Sequence, residues 1–241
     1  MKTPLKIVAF FIATLLMSCN ANLNWSNGVD GSGNVITEKR VIKENFEKIS
    51  AATGVTVIVE QGTPTDVEVE TDDNLMQYVV TKVENGTLII KIDGNINTMS
   101  SIDVRVKTNT ISGLTSSSGS RITSKNSLKG TSINLKSSSG SAIEALLEYE
   151  NVSCESSSGS NIKVAGKTLN LKTDSSSGSE IDASELAAND VFAQSSSGSN
   201  TTVKPIVKLD GKASSGSSIG YVQTPKTISK DESSGGSVNK E

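Results

Sequence analysis

The tetrapeptide Ser-Ser-Gly-Ser, or a close variant of it, recurs down the second half of the chain, and its register constrains the fold more than any other feature. Its glycines are Gly119, Gly140, Gly159, Gly178, Gly198, Gly216 and Gly235, so successive copies lie 21, 19, 19, 20, 18 and 19 residues apart. A flexible Ser/Gly linker has no reason to keep such a period. Stacked repeats do, because each unit can bury its apolar side only against its neighbours.

The aliphatic residues follow the same period. Three positions after each glycine stand Ile122, Ile143, Ile162, Ile181, Thr201, Ile219 and Val238. Seven before stand Ser112, Ile133, Val152, Leu171, Val191, Leu209 and Ile228; five before stand Leu114, Leu135, Cys154, Thr173, Ala193, Gly211 and Lys230. All these offsets are odd, so in extended chain they share one face. The pattern predicts an all-β, right-handed parallel β-solenoid of about seven 19–20-residue coils over 110–241, stacked about 4.8 Å apart. By the same alternation the serines at −3, −1 and +1 should point inward. The serine at −2 should point outward, and a bend at the glycine would alter that phase. The last copy carries Lys230 and Glu232 at inward offsets and reads as a polar terminal cap.

Residues 37–109 lack the serine motif but alternate strongly, as in Val55, Val57 and Val59 or Leu88, Ile90 and Ile92. Turn signals stand between these runs at Gln61–Pro64, Asn85-Gly86 and Asp93-Gly94. Leu75, Met76 and Val79 have helical spacing, so one short helix is expected within 72–83. This β region should continue or cap the solenoid, making 37–241 one domain.

The N-terminus reads as an export leader. Lys2 and Lys6 precede an 11-residue apolar run, Ile7 to Met17, too short to span a bilayer. The run ends in Leu16-Met17-Ser18-Cys19, which resembles a lipobox with Cys19 as the lipid-bearing residue; an ordinary signal peptide with a chance cysteine is the alternative. Residues 1–19 are thus the expected signal peptide. Residues 20–36, rich in Asn, Gly and Ser and holding the only tryptophan, Trp25, are the expected tether. Asn20 after the cysteine leans toward the outer membrane, with the face left open.

Charge and composition narrow the functional classes. Without Lys2 and Lys6 the chain carries 21 basic against 26 acidic residues, a net charge of −5. That argues against nucleic acid as a partner. The sequence has no histidine, which removes the commonest general base and metal ligand. If Cys19 carries lipid, Cys154 has no disulfide partner and reads as a small core residue. Ser160-x-x-Lys163 matches a nucleophile spacing in one copy only, and Asp72-Asp73 reads as a solvated turn. No cofactor is expected.

Phe46-x-x-Ile49, Gly54-Val55-x-Val57-x-Val59-x-Gln61-Gly62, Val67-x-Val69-x-x-Asp72-x-Asn74-Leu75 and Asn85-Gly86-x-Leu88-x-Ile90 occur in order, followed by the Ser-Gly-x-Ser repeats. Together they resemble the putative auto-transporter adhesin, head GIN domain family of Bacteroidetes envelope proteins, over about residues 40–238. Family members usually carry Leu-Ser-Gly-Ala-Ser in the repeat. This chain has serine in place of the leucine and the glycine, and glycine in place of the alanine, which should leave the fold intact with a more polar interior. The resemblance implies a β-helical fold and an adhesin-like role, and supplies no catalytic residues.

These readings point to a non-enzymatic envelope lipoprotein, held to the membrane by its lipid. Its repeated outward face, Ser138, Ser157, Asn161, Ser176, Ser196 and Asn200, is the candidate contact for a glycan or protein partner. A structural or signalling scaffold without a ligand is the alternative. A polysaccharide-active enzyme is the third reading, weakened because Glu144, Glu155, Asp174 and Glu180 scatter across coils. Oligomeric state is not legible.

Overall fold

The computed structural model describes residues 28–97 and 101–241. The leader, Cys19 and Trp25 lie outside the described residues. The first strands are β1 (Val29–Asp30), β2 (Val35–Lys39), β3 (Lys48–Ala52), β4 (Thr56–Gln61) and β5 (Asp66–Asp72). Next come β6 (Val79–Glu84), β7 (Thr87–Ile92), β8 (Ile96–Asn97), β9 (Asp103–Thr108), β10 (Gly113–Ser116) and β11 (Arg121–Ser124). The repeats supply β12 (Leu128–Ser137), β13 (Ala142–Ser156), β14 (Asn161–Ser175), β15 (Glu180–Ser195), β16 (Asn200–Ala213), β17 (Ser218–Tyr221), β18 (Thr227–Glu232) and β19 (Ser237–Lys240).

From β10 onward every ladder is parallel and each coil lies on the one before it. Register is kept to the residue: Ile143 faces Ile162, which faces Ile181, which faces Thr201. The chain is therefore a parallel β-solenoid, as the repeat period requires. Its core is a set of vertical columns, among them Ile122–Ile143–Ile162–Ile181 and Leu114–Leu135–Cys154, all buried. Each such aliphatic side chain contributes roughly 1.5–3 kcal/mol by leaving water. No bulky residue is needed because each rung closes over the next.

The serine motif is the corner of each coil, and the corner corrects the predicted phase. The residues at −1 and 0 both have left-handed φ, as in Ser158 (φ 55°) and Gly159 (φ 67°). Two such residues in sequence make a type I′ turn. In the other corners a hydrogen bond closes it from the N–H at +1 to the carbonyl at −2, as Ser179 to Ser176 at 3.2 Å, and at Gly159 the Ser160 hydroxyl donates to the Ser157 carbonyl at 2.7 Å. The turn breaks the simple alternation. Serines at −3 and +1 are buried as expected, but those at −1 sit exposed at the tip and those at −2 are half-buried. The ladder runs on through the corner: the Gly159 N–H donates to the Ser177 carbonyl of the next coil at 3.1 Å.

The N-terminal region hides an additional copy of this corner. Thr53 (φ 66°) and Gly54 (φ 76°) form the same turn between β3 and β4. That rung lies directly against β10 and β11, with Leu114 over Ile49 and Ile122 over Val57. Strands β7 and β9 form a further rung on its other side. The chain thus builds outward from β3/β4, then returns to start the repeats on the opposite face. Antiparallel strands close this end: β6 on β7, and β5 on β9 with β2 outermost. The helix expected in 72–83 is only a 3-10 turn, Met76–Tyr78, whose neighbours Leu75 and Val79 are buried with Met76 in the cap. Of the predicted tether, residues 29–30 pair with β8 and residue 35 begins β2, so ordered chain starts before the predicted boundary.

The C-terminal end is closed by side chains. The Ser237 N–H donates to the Ser217 carbonyl of the preceding coil at 3.1 Å, so the neighbouring Val238 N–H and C=O face the open edge. Glu232 Oε1 accepts from that N–H at 2.6 Å, and Lys230 Nζ donates to that carbonyl. The two charged residues at inward offsets are what blunts the exposed edge.

Candidate binding surface

Buried hydroxyls tie the serine corners together. Ser160 Oγ donates to the Ser137 carbonyl one coil back at 2.7 Å and accepts from the Ser157 N–H at 3.1 Å. Ser141, Ser179, Ser199 and Ser217 repeat the backward bond at 2.7–2.9 Å. Serine is short enough to turn back onto the backbone of the coil it stacks on, which a larger side chain at this buried corner would not do.

This bonding fixes the residues expected to form the binding face. Ser138, Ser157, Ser176 and Ser196 stack in one half-buried column, with backbone atoms engaged in the turns. Asn161, Glu180 and Asn200 form a second column in register beyond the exposed Ser-Gly tips. Asn161 Nδ2 donates to Glu180 Oε2 at 3.2 Å. The expected residues therefore share one corner of the solenoid, as a ridge rather than a hollow.

A concavity lies on another face, walled by residues that alternation marks only as outward. Alternation breaks again at the adjacent outward pairs Glu150-Asn151, Leu169-Asn170 and Asn189-Asp190. Next to this corner runs a groove of about 670 Å³. One wall is the column at offset −8, Ser132, Asn151, Asn170, Asp190 and Lys208. The other is the column at offset −6, with Lys172, Phe192 and Asp210. The floor between them is the inward column Ile133, Val152, Leu171 and Val191. Even offsets flanking an inward residue were the available signal. Across the same corner, Tyr149, Leu169 and Ile206 line a second hollow of about 550 Å³. The Tyr149 hydroxyl donates to the Ile111 carbonyl at 2.7 Å, and burial pushes its pKa up to about 12.

The titratable groups are arranged for structure. Cys154 is fully buried, and desolvation pushes its thiol up to about 12, so at neutral pH it is not a nucleophile. Glu155 and Asp174 do stack on neighbouring coils, but Glu155 is paired with Lys136 at 2.8 Å, and Glu144 and Glu180 stand on other columns. Ser160, of the isolated Ser-x-x-Lys match, is a buried corner hydroxyl. On the N-terminal cap, Lys125 and Lys107 hold the Glu60 carboxyl below its usual range, Lys125 more strongly. Asp73 is held low by the Ser32 hydroxyl and the Asn34 amide, which donate to it. No group of three or more His, Cys, Asp or Glu among the described residues is placed to hold a metal ion, and no helix among them is long and apolar enough to cross a membrane.

The crystal structure of a putative adhesin from Bacteroides fragilis NCTC 9343 superposes with a TM-score of 0.83 at 21% identity, covering 89% of this chain and all of that one. A structure from Parabacteroides distasonis ATCC 8503, described as a putative lipid binding protein, gives 0.72 at 20% identity over 88% of this chain and 99% of its own. A putative adhesin from Parabacteroides merdae ATCC 43184 gives 0.71 at 18% over 89% and 99%. These likenesses establish a shared fold. Among curated proteins no relative matches. The sequence model of one family matches residues 45–225, a span from just before β3 to just past β17, and the chain accordingly belongs to the putative auto-transporter adhesin, head GIN domain family.

Proposed function

We propose that the protein is a non-enzymatic, adhesin-like binding module of the bacterial cell envelope, carried on a lipid at Cys19 and presenting its solenoid surface to a glycan or protein partner. The observation that supports this reading is the register of the outward columns. Side chains such as Asn161, Glu180 and Asn200, or Asn151, Asn170 and Asp190, repeat at the 4.8 Å coil spacing on a scaffold locked by backbone ladders. Such an array engages an extended or repetitive partner through many weak contacts whose energies add within one encounter. Ser138, Ser157, Ser176 and Ser196 border the Asn161–Asn200 column and belong to the same proposed face. The Cys154 thiol is buried and protonated and the Ser160 hydroxyl is committed to the backbone, so neither is an activated nucleophile.

Two measurements on the full-length protein test it. Lipid-precursor labelling of producing cells should mark the wild type and not Cys19→Ala; equal labelling of both removes the anchor. Adhesion of producing cells to glycan- and protein-coated surfaces should exceed that of cells lacking the protein. No difference on any surface, with the protein shown accessible to antibody on intact cells, overturns the adhesin reading.

A further inference from the structure

We infer that the groove between the −8 and −6 columns is a binding cleft for a neutral glycan chain lying along the solenoid axis; the inference rests on the binding-module reading above. The groove runs across five stacked coils, from Ser132 to Lys208, which is about 19 Å of axis at the coil spacing. Its walls are two residues apart along each strand, a width of about 7 Å. These dimensions admit one linear polymer strand.

The lining chemistry selects the polymer. Lys172 and Lys208 offset Asp190 and Asp210, so the cleft carries no net charge and has no preference for a polyanion. Asn170 Nδ2 donates to Asn151 Oδ1 at 2.9 Å, and Asn151 Nδ2 to the Thr131 carbonyl at 3.4 Å. The amides are thereby oriented in advance, and Asn170 Oδ1 is left as an acceptor with no protein partner among the described residues. Oriented amides and carboxylates offer both donors and acceptors, the complement of vicinal hydroxyls. Half-buried Phe192, with Lys212 Nζ 5.6 Å from its ring centre, adds an aromatic surface for the apolar face of a sugar ring.

A polypeptide fits less well. The floor strands β13 to β16 are paired on both sides, so over these coils a peptide strand finds no free edge to extend. Ile133, Val152, Leu171 and Val191 are each 2% exposed, so no apolar pocket awaits a side-chain anchor.

The test is binding of the full-length protein, in detergent, to dextran, yeast mannan and laminarin, with polygalacturonate as the anionic comparison, by affinity electrophoresis and calorimetry. Asn170→Arg places bulk and charge in the cleft, Asn170→Ala removes the amide alone, and Ser177→Tyr alters an exposed corner tip away from it; thermal melts confirm that each variant folds. We expect at least one neutral polysaccharide to bind, about tenfold or more weaker binding by Asn170→Arg, a smaller loss with Asn170→Ala and none with Ser177→Tyr. Loss with Ser177→Tyr but not Asn170→Arg overturns the cleft while the binding-module reading stands. Preference for polygalacturonate, or binding to protein-coated surfaces alone, overturns the neutral-glycan assignment and leaves that reading in place. No binding to any glycan or protein surface ends both.

Discussion

The buried serine ladder makes a quantitative prediction at one corner. Ser160→Ala deletes a hydroxyl that donates to the Ser137 carbonyl at 2.7 Å and lies 2.9 Å from Ser156 Oγ. The Ser137 carbonyl keeps the Ser157 N–H at 3.0 Å, while the half-buried Ser157 carbonyl, 2.7 Å from Ser160 Oγ, loses that contact. The Ser156 hydroxyl keeps only the Ser160 carbonyl, at 3.1 Å. The loss is one inter-coil bond and part of another, about 1–2 kcal/mol. For a domain of this size that lowers Tm by roughly 2–8 °C. The β3/β4 rung holds Ala51 and Val55 at the equivalent positions, both fully buried. Replacing both partners, Ser156→Ala with Ser160→Val, should therefore return stability to within about 0.5 kcal/mol of wild type, since it recreates that apolar pair and leaves no buried hydroxyl seeking a partner. Thermal and urea melts followed by far-UV circular dichroism, on both singles and the double, measure the coupling. A neutral Ser160→Ala, or a double variant less stable than that single, would refute the hydroxyl ladder as a source of stability.

Four further outcomes follow from the same geometry. Thr173 sits fully buried between Cys154 and Ala193 with its hydroxyl unpartnered, so Thr173→Val should stabilise by about 1 kcal/mol; a lower Tm would contradict this. Gly159→Ala should cost about 1 kcal/mol, as its turn is left-handed but has open space around a Cβ. Gly166→Ala should cost several times more, because its Cβ would drive into the Leu147 carbonyl at φ +115°; equal Tm losses would contradict the contrast. Glu232→Ala frees the Val238 N–H, and amide exchange there should quicken about tenfold, with unchanged exchange refuting the cap. Burial raises the Cys154 thiol from its ordinary 9.0 to about 12, so its contribution to stability is intact below pH 9 and is lost as pH rises toward 12. Cys154→Ser should flatten that alkaline slope, and it fails as an account if the slope is unchanged.

How much was legible beforehand depended on the distance over which each rule acts. Odd offsets from a repeated glycine placed Ile143, Ile162 and Ile181 correctly because strand alternation is local and the period carries it from coil to coil. The same rule failed at the −1 serines, where two successive left-handed residues turn the chain and reset the phase. The copy at Gly54 escaped because it reads Ala-Ala-Thr-Gly-Val, although Ile49 and Val57 hold the offsets of the later aliphatics. The groove escaped because its walls come from even offsets, which periodicity marks only as outward.

The sequence alone determined that this chain must stack, at what period, and which aliphatics line the stack, apart from Ile228 of the last coil, which is 39% exposed, since those follow from side-chain alternation within single segments. Only the tertiary structure decided that β10 and β11 lie on β3 and β4 and not on β9, that antiparallel strands close the N-terminal end, and that a cleft opens beside the second corner. Those outcomes depend on hydrogen-bond pairing between segments far apart in the chain, where many partners satisfy the same local pattern and packing of the whole selects one.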